Sequence, residues 1–371
     1  MTLGQGYVPG LEGVIACETQ ISFLDVEQEE IVIRGYDLIE LAKKVTYLEL
    51  AHLILHGHLP KADELNALQQ DLTREAQLPE EIFQMMKLFP PSTDGMDGLR
   101  TCISALAAYD PELDDRSVEA NQRKTIRLLA KLPIIVANLY HAKEGREWIL
   151  PRADLSYPAN FLYMITGRVP SPLEERIYDQ LLMSYSEHEM PNSTFTARVI
   201  ASTTSDLYGA LTGAVASLKG RLHGGANEAV MEMLLEAETE EGLEKLILAK
   251  LQNKERIMGF GHRVYMKKMD PRAQLMKAAL DELTREKGNR QLYDMRVRGE
   301  ELMRREKGLY PNLDYYAAPV YYLLDIPIEL YTPIFLAART IGIGTHVAEQ
   351  HANNRLFRPR VKYTGPRNLH V

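Results

Sequence analysis

From Tyr36 onward, apolar residues recur every three or four positions, the spacing of one helical face. Leu38, Leu41, Ala42, Val45, Leu48 and Ala51 mark the first such face, closed by Gly57 and Pro60. The same rhythm predicts helices at about 61–76, 79–89, 95–109, 116–143, 158–168 and 172–187. A helix over about 194–218 is rich in small residues, among them Ala197, Ala201, Gly209, Gly213 and Ala214. Small residues let backbones approach closely, so this helix should be central. An internal glycine costs about 1 kcal/mol against alanine and so points to a packing reason. Later helices are predicted at about 226–238, 242–251, 270–287, 290–305, 314–324 and 331–352. Strand pattern is confined to residues 1–35. There Val14 to Ile21 and Ile31 to Ile33 flank a polar turn, Asp25 to Glu30, and read as a short hairpin. The fold class is all-α with a short N-terminal β hairpin. No repeat and no Pro/Gly/Ser-rich linker divides the chain, so a second domain would be inserted rather than strung on.

Composition narrows the function. With 371 residues and 45% hydrophobic content, one large or two ordinary domains can bury a substantial core. A net charge of −8 argues against general nucleic-acid binding, so a polyanionic ligand needs local basic clusters. Two cysteines, Cys17 and Cys102, imply no disulfide framework and fit a reducing cytoplasm. Met1 to Gly10 shows neither a basic region nor an apolar stretch, so no signal peptide is expected. No apolar run reaches the roughly 18 residues that span a bilayer.

Candidate chemistry lies in three stretches. In Arg221-Leu222-His223-Gly224-Gly225-Ala226-Asn227-Glu228, a histidine and two glycines precede a helical pattern. The positive end of a helix disfavours imidazolium, so His223 should stay neutral and offer an N–H to a developing oxyanion. In Ile257-Met258-Gly259-Phe260-Gly261-His262, two glycines are expected to expose backbone groups. Lys267 and Lys268 beyond them suit phosphates. Asp270 and Pro271 then open a helix in the ordinary way, but Arg272 opposes its positive end, which an anion would resolve. In Pro311-Asn312-Leu313-Asp314-Tyr315-Tyr316, Asp314 reads either as a helix cap or as a partly desolvated carboxylate, a stronger base than one in water. His188 ends one helix in Ser186-Glu187-His188-Glu189. Arg339 lies in an apolar helix, where a buried arginine needs an anionic partner. Arg358 precedes Pro359. His52, His56 and His58 read as structural or solvent-facing, and His346 and His351 take no catalytic role.

Taken together, these motifs resemble citrate synthase and its relative 2-methylcitrate synthase. The likeness runs nearly end to end, through Glu18-Thr19, Arg34-Gly35-Tyr36-Asp37, Ser193-Thr194-Phe195 and Ala338-Arg339-Thr340. It implies a helical homodimer with a large domain, 1–224 plus 327–371, and a small inserted domain, 225–326, closing over substrate. It implies that Asp314 removes a proton beside an acyl-CoA thioester. His223 would hydrogen-bond the thioester oxygen, and His262 would polarise the ketone of oxaloacetate. His188, Arg272, Arg339 and, from the other subunit, Arg358 would hold oxaloacetate. Arg256 with Ile257, Met258, Gly259, Phe260 and Gly261, and Lys267 and Lys268, would bind coenzyme A. No metal and no resident cofactor is implied. Asp314 to Pro319, Tyr331 to Phe335 and Tyr363 to Pro366 look more like the methylcitrate enzymes, and small Ala317 and Ala318 would leave room for a propionyl methyl. Since one methylene is worth only about 1–3 kcal/mol in a pocket, activity with both acyl groups is expected. An acetyl-specific enzyme is the alternative. A zinc hydrolase built on His188, His223 and His262 is disfavoured, because they lack a short ligand spacing. The presence of Asp314, His223 and His262 together argues against a catalytically silent helical partner protein.

Overall fold

The computed structural model describes residues 7–25, 27–28, 30–261 and 268–371. Its strands are β1 (Ser22–Asp25), β2 (Glu30–Ile33) and β3 (Tyr36–Asp37), joined antiparallel in that order. The helices begin with α1 (Leu38–Lys44), α2 (Tyr47–His56), α3 (Ala62–Glu75), α4 (Glu80–Leu88), α5 (Gly95–Leu106), α6 (Val118–Lys143), α7 (Tyr157–Thr166) and α8 (Pro172–Ser186). They continue with α9 (Asn192–Ala201), α10 (Leu207–Leu218), α11 (Ala226–Ala237), α12 (Glu240–Gln252), α13 (Pro271–Glu286), α14 (Gln291–Lys307), α15 (Leu313–Leu323) and α16 (Tyr331–Ala352). No helix among the described residues is long and apolar enough to cross a membrane. Cys17 and Cys102 are free thiols.

Three details differ from the sequence reading. The first strand is Ser22–Asp25 rather than Val14 to Ile21, and the sheet has a third strand. Register is set by burial: Leu24 pairs with Ile31 and Ser22 with Ile33, on the covered face, whereas Ile15 is 90% exposed and has no strand to pair with. The helix expected from 38 breaks after Lys44, where Thr46 and Glu49 form a capping box that starts α2. The helix expected over 194–218 is two helices. Ser202 and Thr203 hydroxyls bond back to the Val199 and Ile200 carbonyls, and Asp206 caps α10 by accepting from Gly209 N–H. Gly213 still has its packing reason, since a Cβ there would meet Ile200 Cδ1 of the neighbouring α9 at 2.2 Å.

α16 is buried along nearly its whole length and packs on α6, α8 and α9. A helix apolar on every side belongs in the centre of a fold. α11 to α15 pack chiefly on one another, α13 against α15 and α12 against α14, and meet the rest through α8, α1 and α16. The candidate site lies where those two sets of helices meet.

Candidate active site

His223 sits in the turn between α10 and α11. Gly224 follows it because a Cβ there would meet the Leu218 carbonyl oxygen at 2.5 Å, the same oxygen that accepts Gly224 N–H. The imidazole is held from one side: Ser193 N–H points at its Nε2 (3.3 Å), and Ser193 Oγ lies 2.9 Å from the same atom. A backbone N–H only donates, so Nε2 accepts and the ring hydrogen is on Nδ1. Burial first, and the Arg339 charge second, push His223 down to about 4, so it is neutral at physiological pH. A neutral imidazole with a free Nδ1–H is a donor suited to an enolate oxygen.

Asp314 lies in the first turn of α15 but does not act as its cap. The residue before the helix is Asn312, and Asp314 Oδ1 instead accepts from the Tyr185 hydroxyl at 2.7 Å. Burial pushes Asp314 up to about 6, against the lowering effects of the Tyr185 bond, Arg272 and Arg339. It is therefore a better base than a solvated carboxylate, yet ionised above neutrality.

Tyr185, at the end of α8, and Phe335, in α16, tie the groups together. Their rings lie 4.5 Å apart, and the His223 ring stands edge-on to Phe335 at 6.3 Å. Arg339, one turn along α16, places its guanidinium 4.9 Å from the Phe335 ring centre and gives Nε–H to the Tyr185 carbonyl. Among the described residues, neither Nη of Arg339 has a hydrogen-bond partner. Burial lowers Arg339 to about 10, and Glu187 is the foremost charge acting the other way. A buried fork with both arms unmet is suited to a carboxylate from outside the chain.

Arg272 is different. Its fork is gripped by Asp270, with Nε to Oδ1 at 3.0 Å and Nη2 to Oδ2 at 2.7 Å. The cation at the helix start is thus paired with the cap residue itself. Its charge still reaches Asp314 and Arg339. His188 is buried, directly after Glu187. Behind it, Arg198 Nε–H donates to His346 Nδ1 (3.0 Å), which leaves the His346 hydrogen on Nε2, facing Glu187 Oε1 at 3.1 Å. Ser22 Oγ reaches the same oxygen at 2.8 Å. Burial favours the neutral Glu187 carboxyl, but His346, Arg339 and Ser22 together hold it below the usual range.

The glycine loop departs from expectation. The backbone of Gly259 and Gly261 is not open, because Asn312 N–H bonds to Gly259 O and Gly261 N–H to Tyr310 O, both at 3.0 Å. The loop is stitched to the segment that carries Asp314. Gly259 is required there, since a Cβ would meet Tyr315 and Val230 side chains at 3.0 Å or closer. Ile257 and Phe260 are buried, Met258 is half-buried, and Arg256 and Lys268 are exposed. His262 and Lys267 lie outside the described residues. Arg358 is exposed in the C-terminal tail, where its Nη1 donates to the Pro359 carbonyl at 3.5 Å. Sequence reasoning missed Tyr185, whose only signal is its place beside the polar run Ser186-Glu187-His188.

Three comparisons bear on this arrangement. A family model described as citrate synthase, C-terminal domain, matches residues 10–360. The chain is 61% identical to citrate/2-methylcitrate synthase of Bacillus subtilis and 60% identical to citrate synthase of Heyndrickxia coagulans, each alignment covering 98% of both chains. In structure it is similar to citrate synthase of Thermoplasma acidophilum in a ternary complex with carboxymethyl coenzyme A and oxaloacetate, with a TM-score of 0.92 and 30% identity over 98% of this chain and 97% of that one.

Proposed function

This chain belongs to the citrate synthase family, and we propose that it joins the acyl group of acetyl-CoA or propionyl-CoA to oxaloacetate, then hydrolyses the thioester. The products are citrate or 2-methylcitrate and free coenzyme A. The observation that carries this reading is the meeting of His223, Asp314 and Arg339 around the Tyr185–Phe335 ring pair. The 61% identical relative named for both products supports the dual substrate range.

Asp314 takes a proton from the carbon beside the thioester. A carboxylate near pKa 6 is far too weak to make a free carbanion, so the oxygen must be stabilised as the proton leaves. His223 Nδ1–H supplies that hydrogen bond, and a single such donor is worth about 3–4 kcal/mol of barrier. The enol carbon attacks the ketone of oxaloacetate, which His262 polarises. Arg339 holds one carboxylate with its unmet fork, while Arg272 contributes charge and His188 a contact. Arg358 completes the site from the second subunit of a homodimer. Residues 225–326 form the small domain that closes on the rest, and closure keeps water from the enol. Lys267, Lys268 and the 256–261 loop hold coenzyme A. The reaction uses no metal and no resident cofactor, and takes place in the cytoplasm, serving the citrate cycle and propionate use.

A thiol-release assay with oxaloacetate and each acyl-CoA tests the proposal. Release with both, and kcat/KM values within about two orders of magnitude of each other, is expected from the weight of one methylene. Release with neither would overturn the reading. Release with acetyl-CoA alone would restrict it to citrate.

A further inference from the structure

The condensation reaction gives no work to three histidines at the end of α2. His56 is the last residue of that helix, and Gly57, in the left-handed conformation (φ 83°), turns the chain back. His58 therefore folds over His52, their rings 5.1 Å apart and almost perpendicular. The His56 ring lies 4.5 Å from His52 on the same helix. Glu64 enters from the first turn of α3. One ligand atom from each of His52, His58 and Glu64 lies within 4.8 Å of the other two.

The groups are held as well as close. His52 Nδ1 lies 3.0 Å from the His58 carbonyl oxygen, and His58 Nδ1 lies 3.3 Å from that of His56. A carbonyl only accepts, so each Nδ1 carries hydrogen and each neutral ring keeps its lone pair on Nε2. A backbone carbonyl on one ring nitrogen is the usual way a metal-binding histidine is oriented. Glu64 Oε2 is fixed by Lys61 N–H at 2.8 Å, which aims Oε1 at His58 Nε2, 3.1 Å away. A lone pair facing a carboxylate oxygen needs a proton or a cation between them. Arg34 is a nearby cation that would repel a bound metal ion, but its guanidinium is turned to the Ile54 and Gln20 carbonyls.

We propose that His52, His58 and Glu64 form a site for a divalent late transition-metal ion of the Zn²⁺ type, with water completing its coordination. Two imidazoles and a carboxylate suit zinc better than magnesium or calcium, which prefer oxygen ligands throughout. Donors about 2.0–2.1 Å from zinc in a tetrahedron lie about 3.4 Å apart, so binding draws the ligands inward by about 1 Å. His52 is buried and serves as the anchor, while exposed His58 and half-buried Glu64 supply the movement. The ion would clamp the end of α2 to the start of α3, apart from the condensing groups.

The test uses the full-length protein, stripped of metal by chelation and titrated with ZnCl₂ by calorimetry, with thermal unfolding in parallel. Wild type is compared with His58→Ala and Glu64→Gln, both changes at accessible side chains. Expected are one Zn²⁺ per chain in wild type, a raised Tm with zinc, binding at least about tenfold weaker in each variant, and loss of the Tm rise. Thiol release should be the same in all three proteins. Failure of wild type to bind zinc would overturn the proposal. So would unchanged affinity in both variants, because the ion would then sit elsewhere.

Discussion

Replacing Tyr185 with Phe removes one hydroxyl and leaves the ring against Phe335 and Tyr321, and the carbonyl that receives Arg339 Nε–H, in place. The lost bond is the one Asp314 Oδ1 accepts at 2.7 Å. That bond stabilises the carboxylate form, so its removal raises the Asp314 pKa from its starting point near 6. A hydrogen bond to a charged group is worth about 1.5–3 kcal/mol, and 1.36 kcal/mol is one pKa unit, giving a rise of about one to two units. The base must be ionised, so activity falls as pH drops through this pKa. His223, pushed down to about 4, stays neutral across that range and does not set the limb. The assay is kcat/KM for acyl-CoA from pH 5 to 9.5, followed by thiol release. Expected are an acid limb displaced upward by about one to two units, a rate several-fold to tens of fold lower near pH 6.5, and recovery toward wild type at high pH. A loss equal at every pH, with the limb where wild type has it, would refute the electrostatic role of Tyr185.

His223→Ala should lower kcat by about 10²–10³, as loss of one oxyanion donor does, with the oxaloacetate Kd measured by calorimetry unchanged. Mixed dimers test Arg358: Asp314→Asn and Arg358→Ala subunits, each inactive alone, should regain about a quarter of wild-type activity when refolded together, because half of the dimers carry one intact site. No recovery would place Arg358 outside the partner's site. Asp179, buried on α8 under the Tyr47 N–H, is pushed up to about 7 by burial, against an unfolded value of 3.8. The folded state thus holds its proton more tightly, and stability is lost as pH rises from about 4 to 7. Asp179→Asn should stabilise the protein at pH 8 by on the order of 4 kcal/mol, a gain that vanishes near pH 4 in urea unfolding curves.

How legible this was in the chain depends on range. His223 is announced by the glycines after it, Asp314 by its aromatic neighbours and Arg339 by the apolar helix around it, all local signals. Tyr185 is 129 residues from the carboxylate it touches, and nothing near it in the chain reports that distance. Arg272 looks like an open anion site in the sequence, which does not report that Asp270, two residues away, takes its Nε and Nη2. The glycine loop looks open until its pairing with Tyr310 and Asn312 is known, a contact that periodicity does not carry. The apolar rhythm shows where the helices are, but the breaks at Val45 and at Ser202 to Ser205 depend on hydroxyl-to-backbone bonds, which compete with the helix without disturbing that rhythm.

The most direct measurement is on Asp314→Asn, which keeps the shape and removes the base. Expected is thiol release at least about a thousandfold slower with acetyl-CoA and propionyl-CoA alike, while oxaloacetate still binds with wild-type affinity. Thiol release at the wild-type rate would contradict the role of Asp314 and, with it, the chemistry proposed for the site.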